Sequence, residues 1–177
     1  MIEIYTDGSS KIAKDGTYIG GWAVYMPGTE EPIIHGAEIG AAATNQRMEL
    51  MALLEGCSKA ERYHQKHPDE KIYINSDSKY ALNCVLEWSK KWEQNGWKRP
   101  GDKEIINLGL IKEIYYYYTK FVPEYLSFRW VKGHSIVEGN NIVDEAAQKA
   151  AETLRKKYNS EDTMIFSSSK NSFFDKK

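Results

Sequence analysis

A chain of 177 residues, 41% hydrophobic and 28% charged, is sized for one domain with a real core and is excluded from the wholly disordered class. A folded chain of this length buries roughly 70% of its unfolded surface. Lys and Arg number 24 against 25 Asp and Glu, so the net charge of -1 excludes a general cationic coat but not a local basic patch. No apolar stretch approaches the ~18 residues of a membrane span. The opening Met1-Ile2-Glu3-Ile4 lacks the basic leader and apolar run of a secretory signal. The two cysteines, Cys57 and Cys84, have no metal-ligand or redox spacing, and their scarcity points to a reducing compartment. The expected location is the cytoplasm.

Ile2 to Asp7 reads as a first strand, stopped by Gly8-Ser9-Ser10. Gly20 to Met26 is a second strand, Pro27-Gly28 a turn, and Ile33 to Ile39 a third strand, together an antiparallel meander. Thr44-Asn45 supplies N-cap chemistry for a helix from about Gln46 to Tyr63, with Leu50, Leu53, Leu54 and Cys57 at helical spacing. Lys71 to Asn75 is a fourth strand, and a second helical stretch follows Asp77. Gly96, Pro100 and Gly101 break the chain before a helix from about Glu104 to Tyr118. Leu126 to Val131 is a fifth strand, and Asn140 or Asn141 caps a last helix running to about Lys157. This order predicts an α/β fold, a mixed sheet with helices on its faces. From Asn159 the chain is rich in Ser, Asp and Lys without a period, and is expected to be a mobile or disordered tail. Phe173-Phe174 offers a weak docking motif, or is simply a sticky pair on a loose terminus, the preferred reading. The domain expectation is thus 1–158 plus a tail of 159–177.

Four carboxylates stand in places that chemistry can use. Asp7 and Asp77 end the first and fourth strands, where α/β sheets place their sites, and are side by side if those strands are neighbours. Each has a plainer reading, a turn residue before Gly8 and a helix N-cap. Glu49 lies in the first turn of its helix with Ala52, Leu53 and Gly56 as face-mates; Asp144 has Ala147 and Ala151 on its face. Such small neighbours let a helix approach another surface with its acid pointing inward, although acids near helix N-termini are also ordinary dipole partners. Converging carboxylates repel one another and are tolerable only when protonated or neutralised by cations. All-oxygen ligands without His or Cys suit Mg²⁺ or Mn²⁺, and the chemistry that follows is two-metal phosphoryl transfer to water.

From Trp88 to Lys103 the chain carries Lys90, Lys91, Lys98, Arg99 and Lys103 against Glu93 and Asp102, with Trp88, Trp92 and Trp97 interleaved. Aromatics among cations suit a nucleic-acid backbone. Equally, Trp88 and Trp92, four apart, suit one helix face docked on the core, while Lys98 and Arg99 beside Gly96 read as a protruding basic loop. His134, in Val131-Lys132-Gly133-His134-Ser135, can take or relay a proton near neutral pH, although a lone loop His is more often an ordinary surface residue.

These segments, in this order, resemble type 1 ribonuclease H, which cuts the RNA strand of RNA–DNA hybrids. The resemblance rests on Tyr5-Thr6-Asp7-Gly8-Ser9, Thr44-Asn45-Gln46-Arg47-Met48-Glu49-Leu50 and Ser76-Asp77-Ser78. It continues through Trp88, Trp92, Asn95-Gly96-Trp97-Lys98, Val131 to Ser135, Gly139-Asn140 and Asp144-Glu145-Ala146, and spans about Met1 to Lys157. It implies a ribonuclease H-like fold with a five-stranded mixed sheet, antiparallel in its first three strands. It implies an endonuclease that hydrolyses the RNA strand by two-metal-ion catalysis and leaves 5′-phosphate and 3′-hydroxyl ends. Asp7, Glu49, Asp77 and Asp144 match the metal-binding carboxylates, with Mg²⁺ as the cofactor, two per site, and Mn²⁺ as a substitute. His134 matches the mobile-loop histidine. Gly8, Ser9, Ser10, Asn45 and Gln46 fall where the family lines the hybrid's minor groove, Trp88, Trp92 and Lys98 match the handle that holds the DNA strand, and Thr44 and Asn107 match a DNA-phosphate pocket. The partner implied is the hybrid, bound by a monomer, with no membrane.

Two departures bear on substrate affinity rather than on cleavage. An asparagine that some members use is missing at or near Ala13, and Ala42 stands where some carry an arginine for the DNA phosphate. Of the rivals, a dead ribonuclease-H-like module is disfavoured by the four acids. A reverse-transcriptase portion is disfavoured by a fold beginning at Met1 and an intact handle, and a DNA-directed relative by the Thr44–Glu49 and Asn95–Lys98 segments. A free-standing enzyme without a preceding hybrid-binding domain is expected.

Overall fold

The structure is a computed structural model that describes residues 1–122, 124–133 and 136–171, the last ten of them for their backbone alone. Five strands, β1 (Ile2–Ile12), β2 (Tyr18–Tyr25), β3 (Ile33–Ile39), β4 (Ile72–Ser76) and β5 (Leu126–Trp130), form one sheet in the order β3-β2-β1-β4-β5. β1–β2 and β2–β3 pair antiparallel, whereas β1–β4 and β4–β5 pair parallel. This is the five-stranded mixed sheet, antiparallel in its first three strands, that the resemblance implies.

Helix α1 (Asn45–His64) starts at Thr44, whose side chain accepts from Arg47 N, and ends with Arg62 and His64 in its last turn, the sign a helix C-terminus favours. Its inner face brings Leu50, Leu53 and Cys57 into one buried cluster with Ile4, Val24 and Ile74 of the sheet. Each such aliphatic side chain contributes about 1.5–3 kcal/mol on burial. Beyond β4 come a short helix α2 (Lys79–Asn83), a π-helical turn (Cys84–Trp88) and α3 (Ser89–Gln94). Ile111 and Ile114 of α4 (Leu108–Phe121) close the same cluster. On the other face α5 (Glu138–Asn171) packs Val143 and Ala147 over Ala23. The backbone contact is close, since a Cβ on Gly21 would lie 2.5 Å from Ala147 O and from Ala151 N.

Three boundaries differ from the sequence reading. β1 does not stop at Gly8 but runs to Ile12, because Gly8, Ser9 and Ser10 pair with Trp22, Gly21 and Gly20 of β2. Gly8 is small for another reason: a Cβ there would clash with the backbone of Met48 and Glu49, so it is the contact that seats α1 on β1. Second, α4 begins at Leu108 rather than near Glu104, because Asn107 takes a left-handed φ of 62°. Third, α5 does not end near Lys157. From Asn140 to Asn171 the chain has neither Gly nor Pro, so nothing stops the helix, and it runs past Asn159 to Asn171. This extension is tied down at its start: Tyr158 OH donates to Asp15 Oδ2 at 2.8 Å, and Lys14 N donates to Asn159 Oδ1 at 3.1 Å. Phe173-Phe174 lies outside the described residues.

Candidate active site

The parallel pairing of β1 with β4 sets Thr6 opposite Ser76, so the residues that follow, Asp7 and Asp77, are brought to the same level of neighbouring strands. Asp7 is in mid-strand and not at a strand end, a consequence of the longer β1. α1 leans over this point through the Gly8 contact and delivers Glu49. One carboxylate oxygen from each of Asp7, Glu49 and Asp77 lies within 4.8 Å of the other two. Asp7 and Glu49 are buried, at 5% and 8% exposure, so their charges are poorly solvated. Asp144, on α5, lies near enough to Asp7 for its carboxyl to act on the protonation of Asp7, and accepts from Gln148 Nε2 at 2.8 Å. The four acids of the sequence reading therefore converge, three in a tight group and the fourth against Asp7.

Burial is the main force on the protonation of these groups. Desolvation, then the charge of Asp77, then the hydrogen bond and charge of Asp144 push Asp7 up to about 8, against the pull of the Gly8 N–H, which donates to Asp7 Oδ1 at 2.9 Å. Burial and the charges of Asp7 and Asp77 hold Glu49 well above the usual carboxylate range. Glu49 Oε2 is buried without a hydrogen-bond partner. A buried acceptor left unpaired costs about 1–3 kcal/mol, so the site is arranged for a ligand that can satisfy oxygen atoms and cancel negative charge. The donor set of hard carboxylate oxygens fits a divalent cation such as Mg²⁺ or Mn²⁺ and not a thiolate- or imidazole-seeking metal.

Asp77 is held from three directions. Trp130 Nε1 donates to its backbone carbonyl at 3.1 Å, Asn140 Nδ2 donates to its Oδ2 at 3.1 Å, and a Cβ on Gly133 would lie 2.6 Å from the same Oδ2. The lack of a side chain on Gly133 leaves room for the Asp77 carboxylate. Asn140 entered the sequence reading as a helix cap and as part of the Gly139-Asn140 segment of the resemblance, without a role in the site. Its available signal was its place four residues before Asp144, on the same helix face. His134 and Ser135 lie outside the described residues.

The remaining expected residues form two groups. Gly8, Ser9 and Ser10 lie along β1, and the Ser10 hydroxyl donates to Ala43 O at 2.7 Å, joining the strand to the start of α1. Thr44 caps that helix, and Asn45 and Gln46 are exposed at its first turn. Ala42 is exposed and Ala13 is buried. In the second group, Trp88 and Trp92 both pack against the core, their ring centroids 5.7 Å apart, as one helix face docked on the core requires. Lys98 and Arg99 are exposed beside the left-handed Gly96 and Trp97. Trp97 packs edge-on to Tyr115 and lies under Lys112 Nζ, 5.1 Å from the ring centroid. Asn107 precedes α4.

The RNase H family model matches residues 1–152. A ribonuclease H of Dichelobacter nodosus is 35% identical over 158 residues, covering 89% of this chain and 96% of the relative. In a foamy viral protease-reverse transcriptase, solved in complex with an RNA/DNA hybrid, a similar fold covers 86% of this chain and 20% of that one, with a TM-score of 0.71 and 21% identity. LC11-RNase H1, also solved with an RNA/DNA hybrid, matches 87% of this chain and 99% of its own, with a TM-score of 0.59 and 19% identity. These two share the fold, while the family model and the bacterial relative reach further along the sequence: the chain belongs to the ribonuclease H family.

Proposed function

We propose that the protein is an endonuclease that hydrolyses the RNA strand of RNA–DNA hybrids with two divalent cations, leaving 5′-phosphate and 3′-hydroxyl ends. The observation that carries this reading is the convergence of Asp7, Glu49 and Asp77, their oxygens within 4.8 Å, in a desolvated corner between β1, β4 and α1. With Asp144 these residues would hold the cations, Mg²⁺ by preference with Mn²⁺ substituting. Cations in such a site supply positive charge for the scissile phosphate and a nucleophile at neutral pH.

The protein's own groups do the rest. The acids hold negative charge in a fixed array and exclude solvent from it. Gly8, Ser9, Ser10, Asn45 and Gln46 present backbone and small polar groups from one edge of that array, where contact with 2′-hydroxyls distinguishes RNA from DNA. The exposed Lys98, in the same basic segment as the core-packed Trp88 and Trp92, attracts the DNA strand, and Thr44 and Asn107 take its phosphate. His134 relays a proton during turnover. The reading extends to a catalytic unit of residues 1–158 that acts as a monomer in the cytoplasm. Labelled RNA–DNA hybrid should be cut in Mg²⁺ and spared in excess chelator. Cleavage that persists in chelator would remove the cations from the mechanism.

A further inference from the structure

Asn140 is 1% exposed, a short polar side chain buried in the first turn of α5. Its Nδ2 donates to Asp77 Oδ2 at 3.1 Å, and its Oδ1 is buried without a partner. An asparagine in such a place carries a desolvation cost that an apolar residue would avoid. The amide's orientation follows from Asp77: only the NH₂ end can face a carboxylate, which leaves the oxygen unsatisfied. The second contact on Asp77, Trp130 Nε1 to its backbone carbonyl, fixes the main chain but not the carboxylate rotor. Asn140 is the only described side chain donating to the Asp77 carboxylate.

We propose that Asn140 is the positioning residue for Asp77. It locks one carboxylate oxygen and so presents the other toward Asp7 and Glu49, and its unpaired Oδ1 accepts a hydrogen bond once a hydrated cation is bound. The inference rests on the reading of the site as a cation site. It goes beyond the four carboxylates by assigning part of their affinity to a neutral residue on α5. Groups that orient metal ligands change metal affinity by about 10–100-fold when removed.

The test is Mg²⁺ binding by calorimetry and Mn²⁺ binding by electron paramagnetic resonance, without nucleic acid, on wild type, Asn140→Ala, Asn140→Ser and Asp77→Asn, with melting in chelator as the check of folding. Both Asn140 variants should melt cooperatively and bind either ion about tenfold or more weakly. Placing Asn140→Ala on top of Asp77→Asn should weaken binding less than it does in wild type, because the group it positions has changed. Wild-type affinity in either folded Asn140 variant overturns the proposal, as does full additivity with Asp77→Asn. Hybrid cleavage by wild type is scored separately. If wild type binds the ions but cuts no hybrid, the substrate reading fails while the Asn140 comparison still decides this one.

Discussion

Replacing Asp7 by Asn should stabilise the metal-free protein while removing its activity. Asp7 is pushed up to about 8 in the folded state from an ordinary 3.8, chiefly by burial. An acid raised in this way binds its proton more tightly when folded. Its unfavourable contribution is absent below about pH 4, where both states are protonated, grows as pH rises, and levels off above about pH 8. At 1.36 kcal/mol per unit the penalty at pH 7 is at most about 4 kcal/mol. Relaxation of the neighbouring acids and entry of water reduce it, and about 1–3 kcal/mol is the expected gain for the amide, which keeps an oxygen for the Gly8 N–H. For a domain of this size that is about 2–12 °C in melting temperature. The assay is thermal melting of wild type and Asp7→Asn in chelator from pH 4 to pH 9. The difference between the two curves should be small near pH 4, widen through neutrality and level off near pH 8. Excess Mg²⁺ should then raise the wild-type melting temperature and move the variant far less, since only an ion that binds the folded state stabilises it. A variant less stable than wild type at pH 8 in chelator, or a difference constant with pH, would refute the electrostatic account of the site.

Three further outcomes follow from particular contacts. Gly8→Ala, whose methyl group would meet the backbone of Met48 and Glu49, should cost about 1–3 kcal/mol or more and displace Glu49 from Asp7, so that melting temperature and Mg²⁺ affinity fall together; a fully active, stable Gly8→Ala would show that α1 is not seated there. Lys98→Glu should leave melting temperature unchanged, because the side chain is exposed, yet weaken hybrid binding and flatten its salt dependence, measured by anisotropy across salt concentrations; Trp92→Ala, by contrast, should lower stability as well, since Trp92 packs on the core. Truncation after Asn159 keeps the Tyr158–Asp15 and Asn159–Lys14 contacts with the β1–β2 connection and should leave melting temperature and cleavage near wild type, whereas truncation after Lys157 removes both contacts and should lower the melting temperature by a few degrees.

The parts of the site that were legible in the sequence are those written in local pattern. Asp7 and Asp77 follow strand-like runs, and the small face-mates of Glu49 and Asp144 mark helices that come close to another surface. What local pattern cannot carry is a contact between distant segments. Gly8 looks like a strand stop in sequence, and only the position of α1 shows that it is a point of close approach. Trp130 and Asn140 reach Asp77 across 53 and 63 residues; the spacing of Asn140 from Asp144 puts it on the acid's helix face, but neither sequence context names Asp77 as the partner. The balance between core packing and substrate contact at Trp88 and Trp92 was likewise open, because a spacing of four serves both; the fold packs both rings on the core. The sequence reading ends the last helix near Lys157 because the apolar period stops there, but absence of an apolar period does not end a helix when no Gly or Pro intervenes.

The central claim is that the Asp7, Glu49 and Asp77 cluster is a cation site for cutting RNA within a hybrid. The most direct measurement compares wild type and Asp77→Asn on end-labelled RNA–DNA hybrid, double-stranded RNA, double-stranded DNA and single-stranded RNA, in Mg²⁺, in Mn²⁺ and in chelator, with melting temperature and hybrid affinity taken on the same preparations. The helix after β4 is capped by Ser78, whose side chain accepts from Ala81 N, and not by Asp77 as the plainer sequence reading had it, so the variant keeps its cap, should stay folded and should bind hybrid as well as wild type or better, because one anion has left a surface facing phosphates. Wild type should cut only the RNA of the hybrid and only with a divalent ion, and the variant should barely cut at all. Cleavage by Asp77→Asn at a rate near wild type, or wild-type cutting of the hybrid in excess chelator, would contradict the account.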